Sequence, residues 1–381
     1  MEHALKLAGR YDEATFLERK NRFTLLLQLR GRPITAYLAN TGRLEEHLVP
    51  GSILFVAPSP TSSTRHRYRV ISSPYRGTFV LLDTKKSSRI VCELLVRNAL
   101  IESKDITDIE HEPYISGKRL DILVKRKEKP PLIIEVKHCT LCHRGIALFP
   151  DAPSRRATQQ IELLQRLASS GYDACILILI PMGDGRFFLP NLHTDAVFTR
   201  ALLAAKEVDV RAIGVALTDP VTVNLGSYHE LTLSYNVVYE NLGGSGSYLL
   251  VLENGENREI EVGKLGRVLF EKGYYVYVGS GMNGVDKRIA RHYRKKKSYH
   301  WHIDYITPSH MRILRSYTIR SAKKVEENIA ARLEKICHRS IEGFGSSDSN
   351  MMSHLFFFPS IPHQKREFLD LVLDFMTFHA P

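Results

Sequence analysis

A chain of 381 residues is long for one compact core and suits two or three domains. Apolar residues make up 44% and charged residues 25%, and no apolar run approaches the roughly 18 residues that cross a bilayer, so no membrane-spanning helix is expected. The net charge of +12, with a pI near 9.4, points to polyanionic partners, nucleic acid first among them. The N-terminus carries acids early and lacks an apolar core, so no secretory signal is expected. Five scattered cysteines, an odd number, read as reduced thiols of a cytoplasmic protein.

From Arg22 to Val80 the chain reads as five short strands: FTLLLQL, PITAYLA, SILFVA, RYRVIS and FVLLD. Turn residues separate them, including the Pro58 to Thr64 cluster. This spacing predicts a small OB-like β-barrel over residues 1–80. An amphipathic helix follows from Ser88 to about Leu100, with Ser87 or Ser88 as N-cap. RLDILV and LIIEV read as strands joined by KRKEKPP. A helix in SRRATQQIELLQRLAS, a strand ACILILI, a helix FTRALLAAKE and a strand VRAIGVAL complete an α/β domain over 81–235. The pattern weakens from Tyr228, and NLGGSGS at 241–247 reads as a linker.

A further α/β domain is expected over 236–381. SYLLVLE and EIEVG flank Asn254-Gly255, a hairpin signal. YYVYVG is a strand, VDKRIARHYRKKK a helix running into a charge run, and SAKKVEENIAARLEKI a helix. The chain is thus an α/β and α+β multidomain protein.

The hairpin around LIIEV carries the first chemical signal. Its turn centres near Glu128, with Asp121 seven residues before and Glu135 seven after, so a symmetric register sets the two acids opposite each other. Opposed like charges destabilise a sheet unless something neutralises them. Mg²⁺ (or Mn²⁺) held by both carboxylates would do so. Lys137 shares a face with Glu135 by the period of 2, and a cation there steadies charge developing on phosphate. The alternative is a sheet edge whose charges face solvent.

Acid, then acid-x-lysine, resembles the PD-(D/E)xK nuclease superfamily. The series NTG (Asn40–Gly42), LLDT (Leu81–Thr84), RLDILV, IIEVKHCTL and FPDA (Phe149–Ala152) resembles the sugar fermentation stimulation protein A family from about Arg10 to Leu217. That resemblance implies an OB-type barrel before a PD-(D/E)xK-like domain and DNA binding. It implies Glu93 as an upstream acid beside Asp121, Glu135 and Lys137. After FPDA the family continues with an Arg-Gly pair and a Lys-His step; this chain has Arg155-Arg156-Ala157 and Gln159-Gln160 instead. HCTLCH offers His138, Cys139, Cys142 and His143. A C-x-x-C flanked by histidines can bind zinc, but its place at the end of a strand beside the acids, with no second C-x-x-C, favours packing and surface thiols.

GSYLLVLE, GYYVYVGSG, RIARHYRKKK, YHWHIDYI and GFGSSD resemble a domain of unknown function related to the GIY-YIG nucleases, from about Gly246 to Phe358. The resemblance implies Tyr277 near a metal, Arg288 on the scissile phosphate and Glu326 as the metal ligand, with Tyr248 and His292 in support. Relatives carry Glu-Cys and Asp-Cys-x-Cys where this chain has Glu326-Glu327 and Asp348 to Met351. Lys287, Arg291, Arg294, Lys295, Lys296 and Lys297, with Arg288, form a basic stretch suited to phosphates, or a solvated face. The WHID stretch, with His302 and Asp304, adds polar groups without a derived role. The expected function is metal-dependent hydrolysis of DNA phosphodiesters, with no membrane partner. The alternatives are a non-catalytic DNA-binding regulator and an RNA-processing nuclease.

Overall fold

The computed structural model describes residues 3–59, 66–97, 99–101, 103–307, 309–346 and 350–377. Most of the Pro58 to Thr64 turn cluster, Asn98 of the first helix expected, and Asp348 and Ser349 lie outside the described residues. The chain divides into two compact units, Met1–Asn191 with Asp195–Ser234, and Leu192–Thr194 with Tyr235–Pro381.

The N-terminal unit opens with a barrel of six strands: β1 (Asp12–Asn21), β2 (Thr24–Leu29), β3 (Arg32–Tyr37), β4 (Ile53–Pro58), β5 (Tyr68–Tyr75) and β6 (Thr78–Leu81). Leu25, Leu27 and Leu29 alternate inward along β2. A parallel pair, Ala36↔Tyr68 and Tyr37↔Arg69, closes β1 to β5 into a barrel, and β6 pairs with β5 outside that closure. Strand β1 escaped the reading of the sequence because only Ala14 and Phe16 of DEATFLERKN are buried.

Helix α1 (Ser87–Val96) then leads into a seven-stranded mixed sheet. Ser87 is the first helical residue, not the cap, and the helix stops four residues short of Leu100. Asp83 instead caps the turn before it, accepting from the Lys85 amide at 3.2 Å. From one edge inward, five of its strands are β7 (Ile106–His111), β8 (Ile122–Arg126), β9 (Leu132–His138), β10 (Asp173–Ile180) and β11 (Val208–Asp219). Strand β9 pairs antiparallel with β8 and parallel with β10. Both faces are covered, so β9 and β10 read as near-continuous apolar runs. Ile134 and Val136 join the core under α1. Ile133 joins the opposite core with Ile161 and Leu164 of α2 (Arg155–Ala168) and Phe198 of α3 (Ala196–Ala204). That second core is continuous with the barrel interior, which sets the barrel beside the α2 face.

The C-terminal unit is built on a five-stranded antiparallel sheet, with β12 (Gly246–Asn254) between β13 (Gly273–Ser280) and β14 (Arg312–Arg320). Helices α4 (Val285–His292), α5 (His302–Ile306), α6 (Glu326–Glu334) and α7 (Arg366–Met376) complete it. The hairpin expected at Asn254-Gly255 does not form. Arg258–Glu261 pairs with Arg267–Phe270 as a separate ribbon, because both edges of the buried strand β12 are already taken. Asn254 spends its side chain on that ribbon, donating to Phe270 O and Glu271 O at 3.2 and 2.8 Å. Residues 241–247 are tied in at several points: the Ala322 amide donates to Asn241 Oδ1 at 2.7 Å and the Val285 amide to Gly244 O at 3.0 Å. Among the described residues, no helix is long and apolar enough to cross a membrane.

Candidate active sites

The register Ile122↔Ile134 and Leu123↔Ile133 continues one step to set Asp121 opposite Glu135. Asp121 stands just outside β8, and its Oδ2 accepts from the Val136 amide at 2.8 Å. Glu135 and Lys137 share the α2 face of the sheet and are almost fully buried, at 2% and 8% exposure. Lys137 Nζ donates to Glu135 Oε1 and to Gln160 Oε1, both at 2.7 Å, and Gln160 Nε2 donates back to Glu135 Oε1. Oε1 is therefore engaged twice, whereas Oε2 is buried without a hydrogen-bond partner among the described residues. Burial pushes the Glu135 pKa up, the Lys137 ammonium opposes this, and the Asp121 charge adds to the rise.

Gln160 is the residue that reading the sequence missed. It lies four residues after Arg156 on α2, so the two share a helix face, and both line the cleft that holds Asp121, Glu135 and Lys137. The cleft encloses about 720 Å³. Glu93 does not line it. Helix α1 turns Ile90, Val91, Leu94 and Leu95 into the core, and Glu93, half-exposed, faces Arg97 across 3.9 Å.

The NTG and FPDA motifs meet on this cleft. Asn40 Oδ1 accepts from the Gly42 amide at 2.9 Å, and Asp151 Oδ2 accepts from the Leu44 amide at 3.2 Å. A Cβ on Gly42 would lie 2.3 Å from Asp151 Oδ2, so glycine is required for the close approach. Burial, with Glu46 nearby, raises Asp151 to about 6. Gly42→Ala is expected to cost about 1–3 kcal/mol, the usual range for overpacking, read as a lower urea midpoint for the full chain.

The histidines and cysteines after Lys137 are otherwise employed. His138 Nε2 lies 2.8 Å from Leu81 O and must donate to it, so Nδ1 accepts from Ser87 Oγ at 2.8 Å. Burial lowers its pKa to about 4, which keeps the ring neutral. Cys139 Sγ donates to Leu148 O at 3.4 Å. Burial raises the Cys139 thiol, and Cys142 to about 12, so neither forms a thiolate readily. His143 is fully buried on the short strand Cys142–His143. Among the described residues, no three His, Cys, Asp or Glu side chains gather as a ready ligand set.

In the C-terminal unit, Tyr277 on β13, Arg288 on α4 and Glu326 at the start of α6 line one cleft of about 620 Å³. Glu326 lies 3.6 Å from His354 and 3.7 Å from Lys324. Tyr248 and His292 stand behind this cleft as a buried pair, Oη to Nε2 at 2.6 Å. Burial raises both phenols, with Arg288 opposing, and lowers His292 to about 3, so the phenol donates and the imidazole accepts. Register pairs Tyr248 with Gly279, where a Cβ would lie 2.3 Å from Tyr248 Oη; the glycine after Val278 makes room for that ring.

The basic stretch splits. Lys287, Arg294, Lys295 and Lys296 are exposed and form no ion pair among the described residues. Arg291 and Lys297 do not belong with them. Arg291 grips Asp304 with two bonds of 2.8 and 2.9 Å, and Lys297 Nζ lies 3.3 Å from the same carboxylate and bonds Thr307 Oγ1 at 3.0 Å. Asp304 itself is buried and also accepts from the His300 and Trp301 amides. The Arg288 guanidinium stacks over Trp301 at 3.3 Å, and Arg291 lies 4.4 Å from the same ring. Arg288 Nε is buried without a hydrogen-bond partner among the described residues. His302 accepts from the Gly345 amide at 3.0 Å. A charge run in sequence cannot show which cations meet a buried acid.

The N-terminal unit thus defines a class: an OB-like barrel joined to an α/β domain with a buried acid–lysine cleft. Residues 17–82 match the family described as the SfsA N-terminal OB domain, and residues 85–219 the sugar fermentation stimulation protein RE domain. Residues 247–377 match a domain of unknown function, DUF123. A sugar fermentation stimulation protein homolog of Moorella thermoacetica is 35% identical over 224 residues, covering 58% of this chain and 96% of the relative. One from Methanothermobacter thermautotrophicus is 31% identical, covering 54% and 86%. The structure of Pyrococcus furiosus SfsA in complex with Ca²⁺ superposes with a TM-score of 0.55 at 28% identity, covering 60% of this chain and 99% of that one. The chain belongs to the sugar fermentation stimulation protein family, with a DUF123 domain following the shared part.

Proposed function

We propose that this protein is a metal-dependent nuclease that hydrolyses DNA phosphodiester bonds, with its principal site at Asp121, Glu135 and Lys137. One observation carries the reading: Glu135 Oε2 is a buried carboxylate oxygen with no hydrogen-bond partner among the described residues, beside a second carboxylate at Asp121. Leaving a buried charged oxygen unpaired is costly, and a divalent cation removes the cost. The relative from P. furiosus was solved with Ca²⁺, an ion that seeks oxygen ligands as Mg²⁺ and Mn²⁺ do. Asp121 and Glu135 would hold the ion, with phosphate and water oxygens filling the remaining positions. Such an ion would lower the pKa of water and offset charge on the phosphate.

The chain's own residues supply the rest. Gln160 and Lys137 fix Glu135 Oε1, which leaves Oε2 for the ion. Lys137 Nζ has three hydrogens and spends two on Glu135 and Gln160; the third serves a phosphate oxygen. In the C-terminal unit, Glu326 would hold a second ion, Arg288 would bind phosphate, and Tyr277 would orient water. Its phenol is held protonated by burial and by the Tyr248 and Glu326 surroundings, so it acts as a base only when a cation offsets them. Lys287, Arg294, Lys295 and Lys296 would contact flanking phosphates.

The test is a cleavage assay with Mg²⁺ or Mn²⁺ on single-stranded, duplex and branched DNA and on RNA. Wild type is compared with Glu135→Ala, Glu326→Ala and both together. Loss of cleavage by at least about 100-fold in one single variant assigns the site. Binding without cleavage above the double variant would overturn the nuclease reading and leave a DNA-binding regulator. Cleavage confined to RNA would change the substrate.

A further inference from the structure

The cleft of the acid pair has a second wall, and that wall comes from the barrel. Phe23 sits on the turn between β1 and β2, and Tyr37 ends β3. Both rings line the cleft that contains Glu135. They are nearly parallel, 22° apart with centroids at 6.2 Å. Phe23 is 43% exposed, which leaves much of an apolar ring in water. Lys85 Nζ lies 5.2 Å from the Tyr37 ring centroid, a cation over an aromatic face.

Cations accompany the rings. Arg22 precedes Phe23, and Arg155 and Arg156 stand on the α2 side of the same cleft. All three are exposed and form no ion pair among the described residues. Arg155 and Arg156 occupy the first turn of α2, where the helix dipole disfavours positive charge. Their position does nothing for the helix and suits an anion in the cleft.

Parallel aromatic faces with flanking cations fit one ligand chemistry. Bases stack on such rings while phosphates follow the cations. In a duplex the base faces are covered by their neighbours; an unpaired strand leaves them free. We propose that this cleft takes an unpaired nucleic-acid strand, one base stacking on the Phe23–Tyr37 platform and the backbone passing Arg22, Arg155 and Arg156 towards Glu135. The proposal rests on the cleft being the nucleic-acid site named above, and it adds the strandedness of the substrate and the residues that select it.

The experiment measures binding apart from cleavage. A fluorescein-labelled 20-mer of DNA, its blunt duplex and the RNA of the same sequence are titrated with full-length protein in EDTA, followed by anisotropy. The proteins are wild type, Phe23→Ala, Phe23→Leu, Phe23→Trp and Arg155→Ala/Arg156→Ala. Single strands are expected to bind at least about tenfold tighter than duplex. Phe23→Ala and Phe23→Leu should each weaken single-strand binding by about 5- to 100-fold, the range for loss of one stacked base. Phe23→Trp should retain it, and the double arginine variant should flatten the salt dependence. The same Phe23 dependence with RNA supports the platform and shows that both strands are accepted. Equal affinity for duplex and single strand, or no effect of Phe23→Ala, overturns the proposal. Cleavage of duplex without single-strand preference would sink this inference and leave the nuclease reading intact. Phe23-dependent binding without cleavage in Mg²⁺ would do the reverse.

Discussion

Lys137→Met is expected to destabilise the N-terminal unit by about 3–5 kcal/mol at pH 8, the range for breaking a buried ion pair. The reason is Glu135. It is almost fully buried, and Lys137 supplies the charge nearest to it, at 2.7 Å. Without that ammonium, Glu135 must stay charged in the interior or take a proton. Its folded pKa already lies above the ordinary value through burial, and losing Lys137 raises it further. A group whose folded pKa is raised contributes stability below its unfolded pKa and loses it as pH rises through the folded one. The cost of Lys137→Met should therefore shrink at pH 5 and grow towards pH 8. Adding Glu135→Gln should return most of the stability, because it removes the buried charge that Lys137 had paired. Urea unfolding of both variants at the two pH values checks this. An equal cost at both, or no recovery in the double variant, would show that Lys137 acts by packing alone.

Asp304→Ala is expected to cost a similar amount, about 3–5 kcal/mol, in the C-terminal unit. One buried carboxylate binds Arg291 through two bonds, faces Lys297 at 3.3 Å and accepts two amides. Removing it leaves Lys297, whose side chain is 3% exposed, as an unpaired buried cation. Burial works against the Asp304 charge, but the Arg291 bonds, the two amides and Lys297 outweigh it and hold the pKa down to about 2. The sign follows from that depression. Its contribution is present above the ordinary aspartate pKa of 3.8 and is lost as pH falls from there through about 2. The difference in stability between wild type and Asp304→Asn should thus narrow over that window. The chain has one tryptophan, and Trp301 stacks under Arg288 beside this carboxylate. Its emission should shift to the red in Asp304→Ala as the ring gains water. An unchanged spectrum and an unchanged urea midpoint would remove Asp304 from this role.

Much of the architecture is legible because it is local. Period-2 alternation marks the barrel strand β2, and near-continuous apolar runs mark β9 and β10. A turn centred on Glu128 is enough to predict that Asp121 faces Glu135, because antiparallel register is set by the sum of two residue numbers. Strand β1 was not legible, since its ten residues bury only two apolar side chains. The Asn254-Gly255 turn misled for a different reason. A good hairpin dipeptide loses when better-buried partners occupy both edges of its strand.

The sequence by itself determined which family this chain belongs to, the order of its elements, and the acid and basic residues available for chemistry. These are properties of spacing and residue type, which act over a few residues. Tertiary structure alone decided which of those residues meet. It brings Gln160 to Glu135 from 25 residues away and packs Gly42 on Asp151 across 109. It sends Glu93 to a different surface, and it buries Lys297 while leaving Lys295 and Lys296 in water. The physical reason is burial. A charge costs little in water and much in the interior, so each charged side chain acquires its meaning from the groups that packing brings to it.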